Sequence, residues 1–313
     1  MIWVAWRTQR LQLLAALGLA LLLALWLATT GLGMGHSQTW KYWTDGDVFV
    51  LYALPAIVGL GVGAPLVAGE LDRRTQRLAW TQGMSRRQWL SWKIGIGALV
   101  VIIASGLLSL LTQWWTGAIS IPLTTNAGGF TGVKIVPSAF DVTGTVIIGY
   151  ALFAFALGVA LGAVIRRPGW AFAAGVPVFI VARLFVQFDV RPHLLAPAIY
   201  TNLNLLIAAK VQSAWILASV ILPAGRTSPL PGHSWNTVPR SLSACTSAAK
   251  STLPQSGITP WAHCLTVNHL HYVVQYQPAS HYWPLQGAET GIFVAAALLL
   301  LGLTVLRIRR VAA

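Results

Sequence analysis

Apolar residues in this chain run in long blocks instead of recurring every third or fourth position. Six blocks stand out, at residues 11–32, 48–68, 94–117, 142–165, 169–188 and 287–306. Each reaches the ~20 helical residues that cross a hydrocarbon core of about 30 Å. A helix that is apolar all round has no face for water, so the pattern predicts six transmembrane helices. No small-residue cleavage site follows the block at 11–32, which is therefore read as a retained first span and not a signal peptide.

Composition supports lipid as the main solvent. Hydrophobic residues make up 56% of the 313, charged residues 9%, and mean hydropathy is +0.68, whereas a soluble domain carries roughly 25% charged residues. The net charge of +14 would suggest a nucleic-acid partner in a soluble protein. Here the basic residues cluster at the ends of apolar blocks, and membrane topology explains them without nucleic acid. With the N-terminus inside, the cytoplasmic side receives Arg7, Arg10, Arg73, Arg74, Arg77, Arg86, Arg87, Lys93, Arg166, Arg167, Arg307, Arg309 and Arg310, 13 of the 21 Lys and Arg. That is the distribution the positive-inside rule requires. The expected protein is an all-α integral membrane protein with both termini cytoplasmic. Residues 1–188 hold an N-terminal interfacial helix and spans one to five, 189–286 form an extracytoplasmic segment, and 287–313 hold span six and a cytoplasmic tail.

The long outer segment is polar and rich in Pro, Ser, Thr and Trp. Within it, residues 203–222 are nearly apolar enough to span. A crossing there would put Lys210 and Gln212 at mid-bilayer and Arg307–Arg310 outside, against the charge rule. A surface or re-entrant helix avoids both penalties; a true span is the alternative. Cys245 and Cys264 both fall in this segment. A disulfide between them would close a loop of about 20 residues and add on the order of 3 kcal/mol, the other possibility being two free thiols. His36, His193, His233, His263, His269, His271 and His281 lie outside too. His263, His269 and His271 are close in sequence, but without HExxH or CxxC spacing they read as solvated loop residues and not as a metal site.

The chemistry of an autonomous machine is missing from the sequence. There is no G-x-x-x-x-G-K-[ST] phosphate loop. Gly59/Gly63 and Gly158/Gly162 form small-xxx-small patterns, which let helices approach closely. Arg183 is the one clear charge inside a block, placed to snorkel or to pair with Glu289 or Asp189. The spans otherwise look bare of ionisable groups, with no carboxylate pair for acid–base work.

The most informative stretch is cytoplasmic, residues 69–93 between spans two and three. Leu71, Thr75 and Leu78 share a helix face, Gly83 ends that helix, and Ser85 with Gln88 makes an S-x-x-Q capping box beside a Met84/Trp89 staple. An ordinary basic loop is the plainer reading. At the N-terminus, Trp3 and Trp6 share a face next to Arg7 and Arg10, as in a helix lying in the interface.

At these residues the chain resembles permease subunits of the type-2 family of ATP-binding-cassette (ABC-2) exporters. Those have an interfacial N-terminal helix, six spans and, between spans two and three, a segment E-x4-T-x2-L followed by a Ser-Arg corner and a lysine, matched here by Glu70, Thr75, Leu78, Ser85, Arg86 and Lys93. The approach to the last span, residues 276–293, is also similar. Where the family usually has Glu-Gly-Thr, this chain has Arg73-Arg74-Thr75. The resemblance implies a coupling helix in 69–83, with Glu70, Arg74, Thr75, Leu78, Ser85 and Arg86 contacting a partner ABC ATPase. It also implies a second permease protomer, a bacterial inner-membrane location, and no cofactor in this chain, ATP and Mg belonging to the ATPase. The alternative is a stand-alone secondary transporter, or a membrane enzyme using the extracytoplasmic histidines. The substrate is not written in the sequence.

The orientation is testable. Cysteines introduced near Ser256 should react with a membrane-impermeant thiol reagent on intact cells, and cysteines near Gln82 should not. The reverse pattern would overturn the charge-based topology.

Overall fold

The computed structural model describes residues 18, 45–73, 86–118, 134–135, 137–202, 214–223, 225, 267 and 269–310. Five helices among the described residues are long and apolar enough to cross a membrane. In chain order the elements are α1 (Asp45–Arg73), α2 (Arg86–Ala118), the short α3 (Pro137–Phe140), α4 (Val146–Ile165) and α5 (Pro168–Phe185). A π turn (Val186–Val190) and a short α6 (Arg191–Leu194) continue α5. Strands β1 (Ala198–Asn202), β2 (Trp215–Pro223) and β3 (Leu270–Gln277) follow, and α7 (Tyr282–Arg310) closes the chain. Five of the six expected spans are thus present as helices; the block at 11–32 and the interfacial N-terminal helix lie outside the described residues. The chain divides into two compact units, one holding 138–191 and 283–313 with everything before 133, the other 133–137 and 192–282.

In the first unit α1 and α4 run parallel at very close range. Lipid gives helices little hydrophobic reason to associate, so close backbone contact must supply the attraction. A Cβ on Gly63 would collide with the Phe155 carbonyl oxygen, and one on Gly59 with that of Ala151. From the other side, a Cβ on Gly158 would lie 2.7 Å from the Ala64 amide nitrogen, and one on Gly162 2.7 Å from the Ala64 carbonyl oxygen. The two small-residue patterns seen in the sequence therefore face each other. Around this seam Val58, Val62 and Leu66 of α1 pack with Val100, Val101 and Ala104 of α2 and with Ala151, Phe155 and Val159 of α4. Away from the seam, Leu298, Leu299 and Leu303 of α7 and Leu99, Ile103 and Leu110 of α2 are exposed, as suits side chains whose neighbours are acyl chains.

The helix ends sort the charges. Arg73, Arg86, Arg166, Arg167 and Arg307 lie at one end of the bundle, since α1, α4 and α7 run one way and α2 and α5 the other. At that end α4 and α5 are joined through Arg166, which closes α4 in the left-handed region (φ 59°) and donates its N–H to the Gly162 carbonyl. Pro168 then starts α5, where a proline loses no helical hydrogen bond.

The second unit contains a three-stranded antiparallel sheet in the order β1-β3-β2. The all-α class therefore describes the spanning part, and the second unit adds a sheet. The expectation that 203–222 is a surface, re-entrant or spanning helix is corrected over 215–222, which is strand; 203–213 lie outside the described residues. Central strand β3 is buried on both faces, with Val274 and Tyr276 against Ala198, Tyr200 and Ala214, and Val273 against Val220 and Leu222. In sequence β3 carries a two-residue period, Leu270, Tyr272, Val274 and Tyr276 alternating with His271, Val273, Gln275 and Gln277. Cys245 and Cys264 lie outside the described residues.

The α1–α4 seam makes a paired prediction. Gly63→Leu should abolish monodisperse protein in detergent, because backbone atoms cannot yield to the new side chain. Gly61→Ala, two positions away with nothing within 4 Å of its Cβ, should leave the unfolding temperature unchanged or raise it, by up to ~1 kcal/mol in stability. Size-exclusion chromatography with thermal unfolding measures both.

Candidate functional site

The end of the bundle opposite the arginine-rich loops holds a cluster of buried charge. It begins with α7, where Gln286, Glu289 and Phe293 fall on one face at helical spacing and are at most 2% exposed. Gln286 wires the turn that precedes α4. Its Oε1 accepts the Val146 N–H at 2.8 Å, one of the amides a helix start leaves unpaired, and its Nε2 donates to the carbonyls of Phe140 and Thr143 at 3.0 and 3.1 Å. Thr145 and Thr290 are hydrogen-bonded through their hydroxyls at 3.1 Å. These contacts fix the turn 141–145, and with it Asp141, beside Glu289.

Arg191 joins the two carboxylates. Its Nε and Nη2 donate to Glu289 Oε2 and Oε1 at 2.7 and 2.9 Å, a two-pronged contact, and Nη2 also reaches Asp141 Oδ1. The Tyr150 hydroxyl accepts from Arg191 Nη2 at 3.1 Å and donates to Glu289 Oε1 at 2.6 Å. Arg183 completes the set: Nη2 lies 3.2 Å from Asp141 Oδ2, and Nη1 donates to the Tyr52 carbonyl at 2.7 Å. Its guanidinium sits 4.7 Å from the ring centres of both Tyr52 and Tyr150, while that of Arg191 lies 4.4 Å from the Phe140 ring. Two cations thus balance two anions inside a shell of aromatic rings, which also includes Phe153, Phe179 and Phe293. The acceptors are unevenly shared. Three crowd Arg191 Nη2, while its Nη1 is buried with no hydrogen-bond partner.

This cluster corrects the view that the spans are bare of ionisable partners and bring no carboxylate pair together. Arg183 pairs with Asp141, not with Glu289 or Asp189. Asp141 and Arg191 escape a linear reading because each lies just beyond an apolar block and looks like a solvated loop residue. The available signal was charge balance: the basic end of the bundle is almost purely positive, whereas Asp141, Arg183, Arg191 and Glu289 sum to zero.

Of the residues singled out for coupling, Glu70 lies in the last turn of α1 and Arg86 opens α2. Arg74, Thr75, Leu78 and Ser85 lie outside the described residues. Lys93 is buried in the second turn of α2. His269 is exposed at the foot of β3, His271 is buried in that strand, and His281 Nδ1 is hydrogen-bonded to Gln277 Oε1 at 2.6 Å. His263 lies outside the described residues.

Lipid-length helices, a small-residue seam and a charge-balanced polar end define a multi-pass membrane protein. The chain belongs to the ABC-2 membrane transporter related family, which its sequence matches over residues 35–191. That range runs from before α1 to Arg191, so it takes in Asp141, Tyr150, Arg183 and Arg191 but not Glu289. No curated protein and no solved structure matches the chain.

The cluster predicts coupled energetics. Glu289→Gln leaves Arg191 in excess and should cost about 3 kcal/mol, the range for breaking a buried pair. Arg191→Met alone should cost at least as much. The double variant should lose clearly less than the sum, because it restores neutrality. Unfolding of the purified protein in detergent measures all three, and strictly additive losses would show that the two groups act independently.

Proposed function

We propose that the chain is the permease subunit of an ATP-driven exporter, forming the substrate pathway with a second permease protomer while a separate ABC ATPase binds ATP and Mg. The observation that carries this reading is the family match over 35–191, which includes the link between α1 and α2. In this reading residues 69–83 are the coupling helix, docked on the ATPase through Glu70, Arg74, Thr75, Leu78, Ser85 and Arg86, with the arginine-rich end and both termini in the bacterial cytoplasm. The lever is short. α1 and α2 are 29 and 33 residues long, about 44 and 50 Å at 1.5 Å per residue, so both extend well past a hydrocarbon core. A displacement at the coupling segment acts directly on two helices of the α1–α2–α4 core. The chain has no phosphate loop and takes no part in hydrolysis itself. The buried charges are what a stand-alone secondary transporter would need, but all four are already paired with one another.

Reconstitution with the ATPase tests the proposal. Leu78→Asp should abolish pull-down of the ATPase and stimulated turnover, because an unpaired charge in an apolar contact costs several kcal/mol against the ~8 kcal/mol of a micromolar interface. Ser85→Ala should retain binding and cost ~1 kcal/mol at the corner through loss of the cap. Arg86→Ala should have a modest effect. Wild-type binding and turnover by a folded Leu78→Asp variant would reduce 69–93 to a basic loop.

A further inference from the structure

The charge cluster depends on a backbone irregularity. Arg183 and Arg191 are eight positions apart. Along an uninterrupted α-helix, eight steps of about 100° would leave their side chains ~80° out of phase. Between them lies the π turn Val186–Val190, in which the Arg191 N–H bonds to the Val186 carbonyl, five residues back. A π turn advances only about 82° per residue, so three α steps and five π steps sum to roughly 710°, and Arg191 returns to the face of Arg183. The π turn is what aims Arg191 at Glu289 and Asp141.

The pose it creates is held but not saturated. Arg191 is 1% exposed, yet Nη1 has no acceptor while Nη2 faces three. A buried charge cluster is a weak stabiliser compared with apolar packing and is best explained where it specifies or switches a conformation. The π turn offers a second position at low cost. Recast as α-helix over its five residues, it would turn Arg191 by roughly 90°, withdrawing it from both carboxylates and leaving Glu289 with Tyr150 alone.

Resting on the exporter reading, we propose that the π turn Val186–Val190 is a conformational switch: in the π form it locks Arg191 onto Glu289 and Asp141 and keeps this end of the bundle closed, and in the α form it releases Arg191 and lets the end open. The cluster ties α7, α4 and its preceding turn, and α5 together at the end opposite the coupling segment. Release of one arginine frees α7 from α5 without disturbing the glycine seam between α1 and α4.

Deletion of Phe188, an exposed residue of the π turn, separates the lock from its release. With one residue fewer, a continuous α-helix carries Arg191 seven steps from Arg183, ~20° from alignment, so the ion pairs form with no π turn left to convert. In the isolated full-length chain, hydrogen exchange of the amides from 186 to 191 should be at least tenfold slower in the deletion than in wild type. Equal exchange overturns the switch, whatever any transport assay reports. So does a deletion variant that does not fold, because the π turn would then be a fixed requirement of the structure. In the complex with the ATPase, the deletion should lower transport at least tenfold while Phe188→Ala stays within twofold of wild type. Wild-type transport by the deletion overturns the switch and leaves the exporter reading intact. Absence of ATPase stimulation in the wild-type complex overturns the exporter reading, and the exchange experiment then judges the switch by itself.

Discussion

Lipid exerts almost no hydrophobic pressure on a leucine, and this constraint shapes the bundle. Where burial from water cannot drive association, helices must approach closely enough for dispersion and weak backbone contacts to hold them. Glycine at 59, 63, 158 and 162 permits that approach between α1 and α4, and the remaining helices pack around the resulting pair. Larger apolar side chains are then free to face outward, which is why so many leucines and isoleucines of α2 and α7 are exposed.

The same constraint makes the polar end of the bundle informative. An unsatisfied charge in a poorly hydrated setting costs far more than on a soluble surface, and the cluster meets that cost by pairing each ionised group with another. Gln286 contributes without any charge: by satisfying one amide and two carbonyls it holds the 141–145 turn in register with α7. Specificity at this end comes from directional contacts, whereas at the α1–α4 seam it comes from shape.

The two kinds of contact differ in how far the sequence reveals them. Spans are written in composition and length, so the blocks at 48–68, 94–117 and 287–306 fall inside α1, α2 and α7, and the glycine pattern located the seam because spacing alone encodes it. The block at 142–165 starts four residues before α4 does, since Val142 is apolar but sits in a buried turn that hydropathy does not distinguish from helix. The strand over 215–222, where a helix is expected, hides for a related reason: Trp215, Ile216, Val220 and Ile221 favour a strand, but the run lacks alternation and its partner β3 lies about 50 residues on. The ion cluster was the least legible. Its members come from four places along the chain, and the π turn that aligns Arg191 with Arg183 leaves no mark in residue identity.

One feature of the cluster bears on how the protein is made. Arg191 and Glu289 are 98 residues apart, and synthesis proceeds at about 5–20 residues per second. For roughly 5–20 s on that scale, a nascent chain carries Asp141, Arg183 and Arg191 with no Glu289, an assembly with one positive charge to spare. During that interval α4 and α5 are complete while α7 does not exist, so the surplus arginine must stay at the aqueous boundary or beside the insertion machinery. Arrival of α7 ends the wait, because Glu289 supplies the second carboxylate and the four charges of the cluster then sum to zero.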